Sequence, residues 1–287
     1  MRVHHWALVA GLLFLGGAGC DEDSDSCICC PADTEAPAAP RGLYSITGDN
    51  EVILVWMANT EADLEGYRIW YTADPTSTLY DLLATIYGDP DGEPVEYVHE
   101  NLYNGVTYYY AVTAFDEAGN EGTESYEIDD TPRSEGWSVA MGSIHTSVVE
   151  AGFDLRRGEL VDADDAARCD FYFRYDDESG EAYIETGPYP TAGEFVKIQD
   201  MGFTSSLDEI DLAPVTNPDD PSDWTGAGWS PTGVVEAIGG HTYVLLTLEG
   251  PYGYYAKIRV RSVSSNYIVF DWAYQEASWN RQLAVRE

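Results

Sequence analysis

The sequence predicts an all-β protein, and three observations lead to this prediction. Aromatic residues make up 13% of the 287 residues, with 21 Tyr and 8 Trp, and aromatic side chains favour strands. Short runs with alternating apolar residues recur between turn signals rich in Gly, Pro, Asn and Asp. Helical periodicity is not sustained in the C-terminal half. The chain length suggests two domains, each large enough to bury a core.

Residues 1–19 are predicted to be an export signal. Arg2 precedes the apolar run WALVAGLLFLGG, which is shorter than the roughly 20 residues that a membrane-spanning helix needs. The sequence GAGC, ending at Cys20, resembles the lipobox of bacterial lipoproteins, although Gly17 departs from the usual aliphatic residue. The resemblance implies that Cys20 carries the lipid and that the membrane is a partner through this anchor. Plain secretion and an uncleaved anchor are the alternatives.

Residues 20–36 are predicted to be a tether outside the cytosol. Its acidic start favours a solvated chain, and PADTEAPAAP is typical of an extended spacer. Acidic residues after a lipidated cysteine resemble both inner-membrane retention and surface-export signals, so the membrane face stays open. The CICC motif lacks a second ligand pair at zinc-site spacing, and oxidised pairing is favoured over a metal cluster. The pairing is open among Cys27, Cys29, Cys30 and Cys169.

The charge balance excludes one class of partner. Fifty-one acidic residues against 14 basic residues give a formal net charge of -37. Such a surface repels phosphate backbones, so we expect no nucleic acid among the partners. It also suits a medium whose cations screen the self-repulsion.

Residues 37–132 are predicted to form a β-sandwich. The run EVILVWM places alternate apolar residues on one strand face. Together with DLEGYRIWY, LYNGVTY and AFDEAGNEG, it resembles the fibronectin type III family. Trp56 matches the family's buried tryptophan, and Leu102 with Tyr108 matches its tyrosine corner. The resemblance implies a spacer or an adhesion module, and the integrin-binding Arg-Gly-Asp sequence is missing.

Residues 135–287 are predicted to form a second β-rich domain, either a sandwich or an open barrel. The sequence HTYVLLTLEGPYGYYAKIRVRSV, followed by NYIVFDWAYQ, resembles the C-terminal sheet of the HmuY-like family of bacterial surface lipoproteins. Some members capture haem through two histidines. The resemblance therefore implies haem as a candidate cofactor, with His145 and His241 as candidate ligands.

The strand YYAKIRVR concentrates positive charge. Period-two alternation places Lys257, Arg259 and Arg261 on one strand face. This face could accept a carboxylate or propionate of a ligand. Alternatively, the cations form cross-strand pairs with acidic residues such as Asp271.

Two tryptophans lie in the polar loop that precedes this strand. Trp224 and Trp229 could form a stacking surface for sugar rings, because exposed aromatics mark binding surfaces. The flanking Gly and Pro residues also suit a loop that folds back and covers a strand face with its indoles.

The sequence does not predict an enzyme. It contains neither G-x-S-x-G nor H-E-x-x-H. YDDESGE has the wrong register for a calcium loop and predicts a hairpin turn, whereas calcium at NPDDPSD stays open. The function expected is ligand capture by the C-terminal domain of a binding protein. The alternative is a structural or adhesive surface protein that binds another protein or a glycan.

Overall fold

A computed structural model of the chain describes residues 33–88, 93–187, 195–214 and 228–283. In these ranges the regular structure consists of β-strands and one 3-10 turn, which confirms the predicted all-β fold class. None of the described residues forms a helix of the length and apolar character that a membrane crossing requires. The export signal, Cys20 and the tether cysteines lie outside the described residues.

The chain divides into two compact units. The first unit takes in the described residues of Met1–Leu43, Trp56–Val95 and Tyr108–Ile128. The second unit takes in those of Tyr44–Val55, Glu96–Thr107 and Asp129–Glu287. The boundaries expected from the sequence, 37–132 and 135–287, stay a prediction.

Seven strands form two sheets in the N-terminal part of the chain. The three-stranded sheet has β2 (Glu51–Met57) between β1 (Arg41–Thr47) and β5 (Val95–Glu100). The four-stranded sheet contains β3 (Leu64–Thr72), β4 (Asp81–Tyr87), β6 (Tyr108–Asp116) and β7 (Ile128–Asp130), in the order β4-β3-β6-β7. Strand β3 pairs antiparallel with both β4 and β6, so the four-stranded sheet has β3 and β6 at its centre.

The inner side of β3 and β6 belongs to the core of the first unit. Tyr67, Ile69, Tyr110 and Val112 are completely buried, and they alternate along their strands with residues of the opposite side. Trp56 packs edge-on against Tyr67, with ring centroids 5.4 Å apart. Trp56 therefore occupies the buried position that the sequence predicts for it.

Ten strands form two five-stranded sheets in the second unit. The first sheet has the order β13-β15-β16-β17-β8 and contains β8 (Ser134–Gly142), β13 (Phe195–Phe203), β15 (His241–Glu249), β16 (Tyr252–Val263) and β17 (Tyr267–Tyr274). The second sheet has the order β10-β9-β11-β12-β14 and contains β9 (Gly152–Asp154), β10 (Glu159–Val161), β11 (Phe171–Asp176), β12 (Glu181–Thr186) and β14 (Val234–Glu236).

The two sheets enclose one apolar core. The inner side of β16 contributes Ala256, Ile258 and Val260, all completely buried. Phe153 of the second sheet lies 5.2 Å from Phe270 of the first sheet between ring centroids, in an edge-to-face arrangement. Two sheets packed through such a core form a β-sandwich, which is one of the two architectures that the sequence left open for this part of the chain.

A polar network orders the turns of the second unit. The Asn104 side chain donates hydrogen bonds to Asp49 Oδ1 (2.8 Å) and Ser134 Oγ (3.1 Å), and its Oδ1 accepts the Asn50 N–H (2.9 Å). Ser134 Oγ in turn donates to Glu276 Oε1 (2.6 Å). One amide side chain thus joins three segments that are distant in sequence.

Asn104→Ala should lower the free energy of unfolding by roughly 1–2 kcal/mol, because it removes one partly buried hydrogen bond, to Ser134, and two exposed ones, with Asp49 and Asn50. Urea unfolding at neutral pH measures the change. Asn104→Asp is the matched comparison, since it keeps the size but places a second carboxylate beside Asp49. It should destabilise the protein at least as much. Wild-type stability in both variants would contradict the structural role of Asn104.

Candidate functional site

The outer side of β16 carries the cations that the sequence predicts there. Lys257 pairs in register with Ala273, and Arg259 pairs with Asp271 of the neighbouring strand β17. The backbone has an irregularity between Val260 and Ser262, at Arg261. The 3-10 turn Leu207–Glu209 lies against β16 on this outer side, where Lys257 contacts it.

Lys257 is completely buried. Its Nζ donates hydrogen bonds to Asp208 Oδ1 (3.3 Å) and to the Ile210 carbonyl (3.1 Å). The pKa of Lys257 is lowered to about 7: burial is the main cause, the Arg133 charge also lowers it, and Asp208 opposes both effects. Lys257 is therefore an internal group whose charge is sensitive to pH near neutrality.

Arg133 belongs to the same cluster, although no motif or alternation in the sequence predicts its burial. This side chain is 1% exposed, and its Nη2 donates to Asp208 Oδ1 (3.0 Å) and Glu135 Oε2 (3.3 Å). Its Nε and Nη1 have no hydrogen-bond partner among the described residues. Burial raises the pKa of Glu135, and the Arg133 charge opposes that rise. Two buried cations thus share one carboxylate oxygen of Asp208.

The two arginines of β16 have separate partners. Arg259 donates to the Thr204 carbonyl, with Nη2 at 2.8 Å. Arg261 forms an ion pair with Asp271, whose other oxygen accepts the Ser138 N–H (2.9 Å). For Arg261, the geometry is the cross-strand pairing that the sequence offered as an alternative. A ligand-binding role for these three cations stays a prediction.

The two histidines of the predicted haem site each contact their own aspartate. His145 is half-exposed, and its Nε2 lies 2.5 Å from Oδ2 of Asp177, in the turn between β11 and β12. His241 contacts Asp200 on β13, with Nδ1 2.9 Å from Oδ2. Phe203 packs edge-on against the His241 ring at 4.4 Å between centroids. The turn that holds Asp177 is the hairpin turn predicted for YDDESGE.

Trp229 is 5% exposed and packs with a second apolar cluster on the outer side of the sheet. The cluster also contains Val244 and Leu246 of β15. This is the arrangement expected of a loop that covers a strand face. Trp224 and NPDDPSD lie outside the described residues, so a stacking role for Trp224 and calcium binding there stay predictions.

Cys169 is a free, buried thiol in the structure. Its Sγ lies 3.4 Å from the Phe171 carbonyl, and burial raises its pKa to about 12. A thiol of this kind is inert at neutral pH. The pairing of Cys27, Cys29 and Cys30 concerns residues outside the described ranges and stays a prediction.

Among the residues that the structure describes, three carboxylates in the first unit are placed closely enough to hold a metal ion. Oxygen atoms of Asp33, Asp63 and Asp116 lie within 4.8 Å of one another, and hard cations prefer such ligands. Asn120 fixes Asp116 through its backbone N–H (2.7 Å) and its side-chain amide (2.9 Å). Burial raises the pKa of Asp116, but the hydrogen bonds from Asn120 and from the Gly119 and Ala118 backbone together outweigh burial, so the pKa is lowered.

The outer side of the four-stranded sheet carries aromatic rings that sequence analysis did not select. We call this surface the aromatic face and define it by Arg68, Trp70, Leu82, Tyr87, Tyr109, Thr113, Phe115 and Glu121. Tyr87 is 70% exposed and Leu82 is 49% exposed. The signal was present in the alternation of β3 and β6, where the residues opposite to the core include Trp70, Tyr109 and Phe115.

A chain of contacts runs through the aromatic face. Trp70 Nε1 donates to Thr113 Oγ1 (3.0 Å), and Thr113 Oγ1 donates to Glu121. Glu121 also forms an ion pair with Arg68, whose guanidinium carbon lies 4.5 Å from the Phe115 ring centroid. The polar groups of this surface are thus held by one another in fixed positions.

Comparisons with known proteins identify partial likenesses. No family model matches the chain. The chain is 30% identical over 115 residues to an amylopullulanase of Thermoanaerobacter thermohydrosulfuricus, which covers 40% of this chain and 7% of that protein. It therefore spans only a small part of the length of this curated relative. The resemblance to the HmuY-like family stays a prediction.

Two solved structures show the range of structural likeness. A Fn3-like protein from Clostridium thermocellum is 26% identical, covering 33% of this chain and 92% of that chain, with a TM-score of 0.26. A DUF4466 family protein from Parabacteroides merdae is 11% identical, covering 80% of this chain and 93% of that chain, with a TM-score of 0.44. The structural neighbours of this chain thus include fibronectin type III-like domains.

Lys257→Met should change the pH dependence of stability. The folded-state pKa of Lys257, about 7, lies below the ordinary value of 10.5, so the unfolded chain binds more protons between these values. The free energy of unfolding of wild type, minus that of the variant, should therefore increase as the pH rises from 7 towards 10, by at most about 1.4 kcal/mol per pH unit. Urea unfolding of both proteins across this range measures the difference.

Lys257→Arg is the control for this experiment, because arginine keeps its charge throughout the range. It should lack the gain with pH and should be less stable than Lys257→Met at high pH. Parallel stability curves for wild type and Lys257→Met would contradict the assignment of this titration to Lys257.

Proposed function

We propose that this chain is a lipid-anchored binding protein of the bacterial cell envelope and not an enzyme. The observation that carries the proposal is the aromatic face, where Tyr87 and Leu82 expose apolar surface to solvent in a strongly acidic protein. Tyr87 lies opposite Gly66 and Leu82 lies opposite Trp70 on the same outer side of the sheet, and exposed apolar side chains grouped on one side are a feature of interaction surfaces. The proposed role is recognition by this surface at the end of a membrane tether.

The anchor is part of the proposal. The lipobox-like sequence ending at Cys20, followed by an acidic and Pro-containing tether, supports attachment of the N-terminus to a membrane outside the cytosol. The proposal leaves both membrane faces as candidates. A tether of this composition would let folded units project into the surrounding water.

Two side chains with displaced pKa values, Lys257 and Cys169, are buried in the scaffold, and this supports binding rather than catalysis as the function. Lys257 has a displaced pKa, but its Nζ is held by Asp208 and the Ile210 carbonyl in a completely buried position. The Cys169 thiol is also buried, and its pKa is raised rather than lowered. Groups in these states serve packing and charge balance.

Two classes of ligand suit an exposed aromatic surface: another protein, or a glycan. The curated relative described above is named amylopullulanase, and the name refers to enzymes that act on polysaccharides. The partial match supports carbohydrate as the class to test first, although it spans only 7% of that relative. The named activity itself is not part of the proposal.

Cys20→Ala should release the protein from the membrane. The full-length wild type, expressed in a bacterial host, should incorporate labelled palmitate and partition into the detergent phase, because acyl chains contribute about 0.8 kcal/mol per buried CH₂. The Cys20→Ala variant should remain unlabelled. Cys27→Ala, in the same tether, is the matched control and should be labelled like wild type. An unlabelled wild-type product would sink the anchoring part of the proposal.

Haem capture is the second candidate, and His241 is the residue that favours it. A carboxylate that holds Nδ1 of an imidazole orients the ring for metal binding through Nε2, and Asp200 holds His241 in this way. On this proposal, haem added to the full-length protein should shift the Soret band, and His241→Ala should abolish the shift. His99→Ala is a control for histidine content. A spectrum of free haem in the presence of wild type would end this candidate.

A further inference from the structure

We propose that the aromatic face binds a neutral polysaccharide through stacking of sugar rings on Tyr87 and Trp70. This inference rests on the proposed binding function and specifies its surface and ligand class. The proposed site lies entirely in the first unit. It does not use the histidines, cations or loop tryptophans that the sequence predicts as ligand-binding residues.

The register of the strands arranges the aromatic face in rows. In the first row, Gly66 of β3 lies between Tyr87 of β4 and Phe115 of β6. A Cβ atom at Gly66 would lie 2.0 Å from the Ile86 carbonyl oxygen, so this position excludes a side chain. The two rings therefore meet across the glycine, edge to face, with centroids 5.7 Å apart.

The second row of the aromatic face is polar and the third row is apolar. Arg68 lies opposite Thr113 in register, and Trp70 lies between Leu82 and Ala111. Trp70 is partly exposed, and its indole N–H is occupied by Thr113 Oγ1. The ring is thus held in place through its one polar atom.

This combination suits a pyranose ring. A sugar presents axial C–H groups on one side and hydroxyl groups around its rim. The C–H groups are attracted to the negative face of an aromatic ring, which Tyr87 and Trp70 provide. The hydroxyl groups need both donors and acceptors, and Arg68 with Glu121 provides one of each.

The aromatic face is organised before a ligand arrives. Arg68 is fixed by Glu121 and by the Phe115 ring, and Glu121 is fixed from its other side by Thr113. Side chains that are already ordered lose little conformational entropy on binding. Because Arg68 and Glu121 are already held in place, binding of a ligand requires little rearrangement of this surface.

Charge selects a neutral ligand over an acidic one. The net charge of -37 repels sulfated and uronic-acid polymers at long range. At short range, the positive charge of Arg68 is already matched by Glu121. The aromatic face thus offers no excess cation to an acidic sugar, whereas an uncharged glycan meets no repulsion.

Affinity electrophoresis and calorimetry of the full-length lipidated protein in a neutral detergent test this proposal. The probes are soluble starch, pullulan and a neutral β-glucan, with polygalacturonate as the acidic comparison. At least one neutral probe should bind more tightly than polygalacturonate. Tyr87→Ala and Trp70→Ala should each weaken that binding by about tenfold or more.

Matched variants separate ring stacking from loss of structure. Tyr87→Phe keeps the ring and should bind within about twofold of wild type. Tyr252→Ala removes a tyrosine that is 53% exposed in the second unit and should bind like wild type. Far-ultraviolet circular dichroism should be the same for Tyr87→Ala and wild type, because the side chain is largely exposed.

Three results would overturn the inference. These are the absence of binding to every neutral probe, binding that Tyr87→Ala and Trp70→Ala leave unchanged, and equal binding of polygalacturonate. A protein partner that binds wild type but not Tyr87→Ala, while all glycans fail, would favour adhesion to protein instead. The palmitate experiment has a separate readout, so failure of the anchor and failure of glycan binding are distinguishable.

Discussion

Every second side chain of a paired strand leaves the sheet on its outer side, and this constraint governs both units. In β16 the inner residues Ala256 and Ile258 join the apolar core, so Lys257 between them faces outward. In the second unit, Asp208 and Ile210 contact Lys257 on that outer side, and the charge becomes internal. In the first unit, the outer side of the four-stranded sheet reaches solvent at Tyr87. What packs against each outer side therefore decides whether its side chains are buried or exposed to solvent.

The buried cations of the second unit show the cost of internal charge. Arg133 and Lys257 are both out of contact with water, and each loses the hydration that a cation has in solution. Asp208 supplies one oxygen to both, and Glu135 supplies a second carboxylate to Arg133. Removal of one partner from such a pair commonly costs about 3–5 kcal/mol, because the remaining charge stays buried. This cluster belongs to the scaffold.

Much of the fold could be predicted from local sequence patterns, whereas the candidate sites could be predicted only in part. Alternation placed Trp56 in the core and Lys257 on the side of β16 opposite to Ile258, because the period of a strand is two whatever its partners. The same alternation did not show that Lys257 would be covered. Trp229 had two interpretations, and its packing against Val244 depended on the path of a loop. Arg133 had no local signal for burial.

The sequence by itself determined the strands, their apolar sides, the hairpin turns and a strongly acidic composition, because these follow from residue type, spacing and net charge. Only the tertiary structure decided which outward side chains meet a partner. Asp208 and Lys257 are 49 residues apart in sequence, and Arg68 and Glu121 are 53 apart. Such pairs arise when distant segments close on one another, and no period within a strand encodes that closure. The aromatic face likewise combines residues from β3, β4 and β6, so it can be recognised only in the folded sheet.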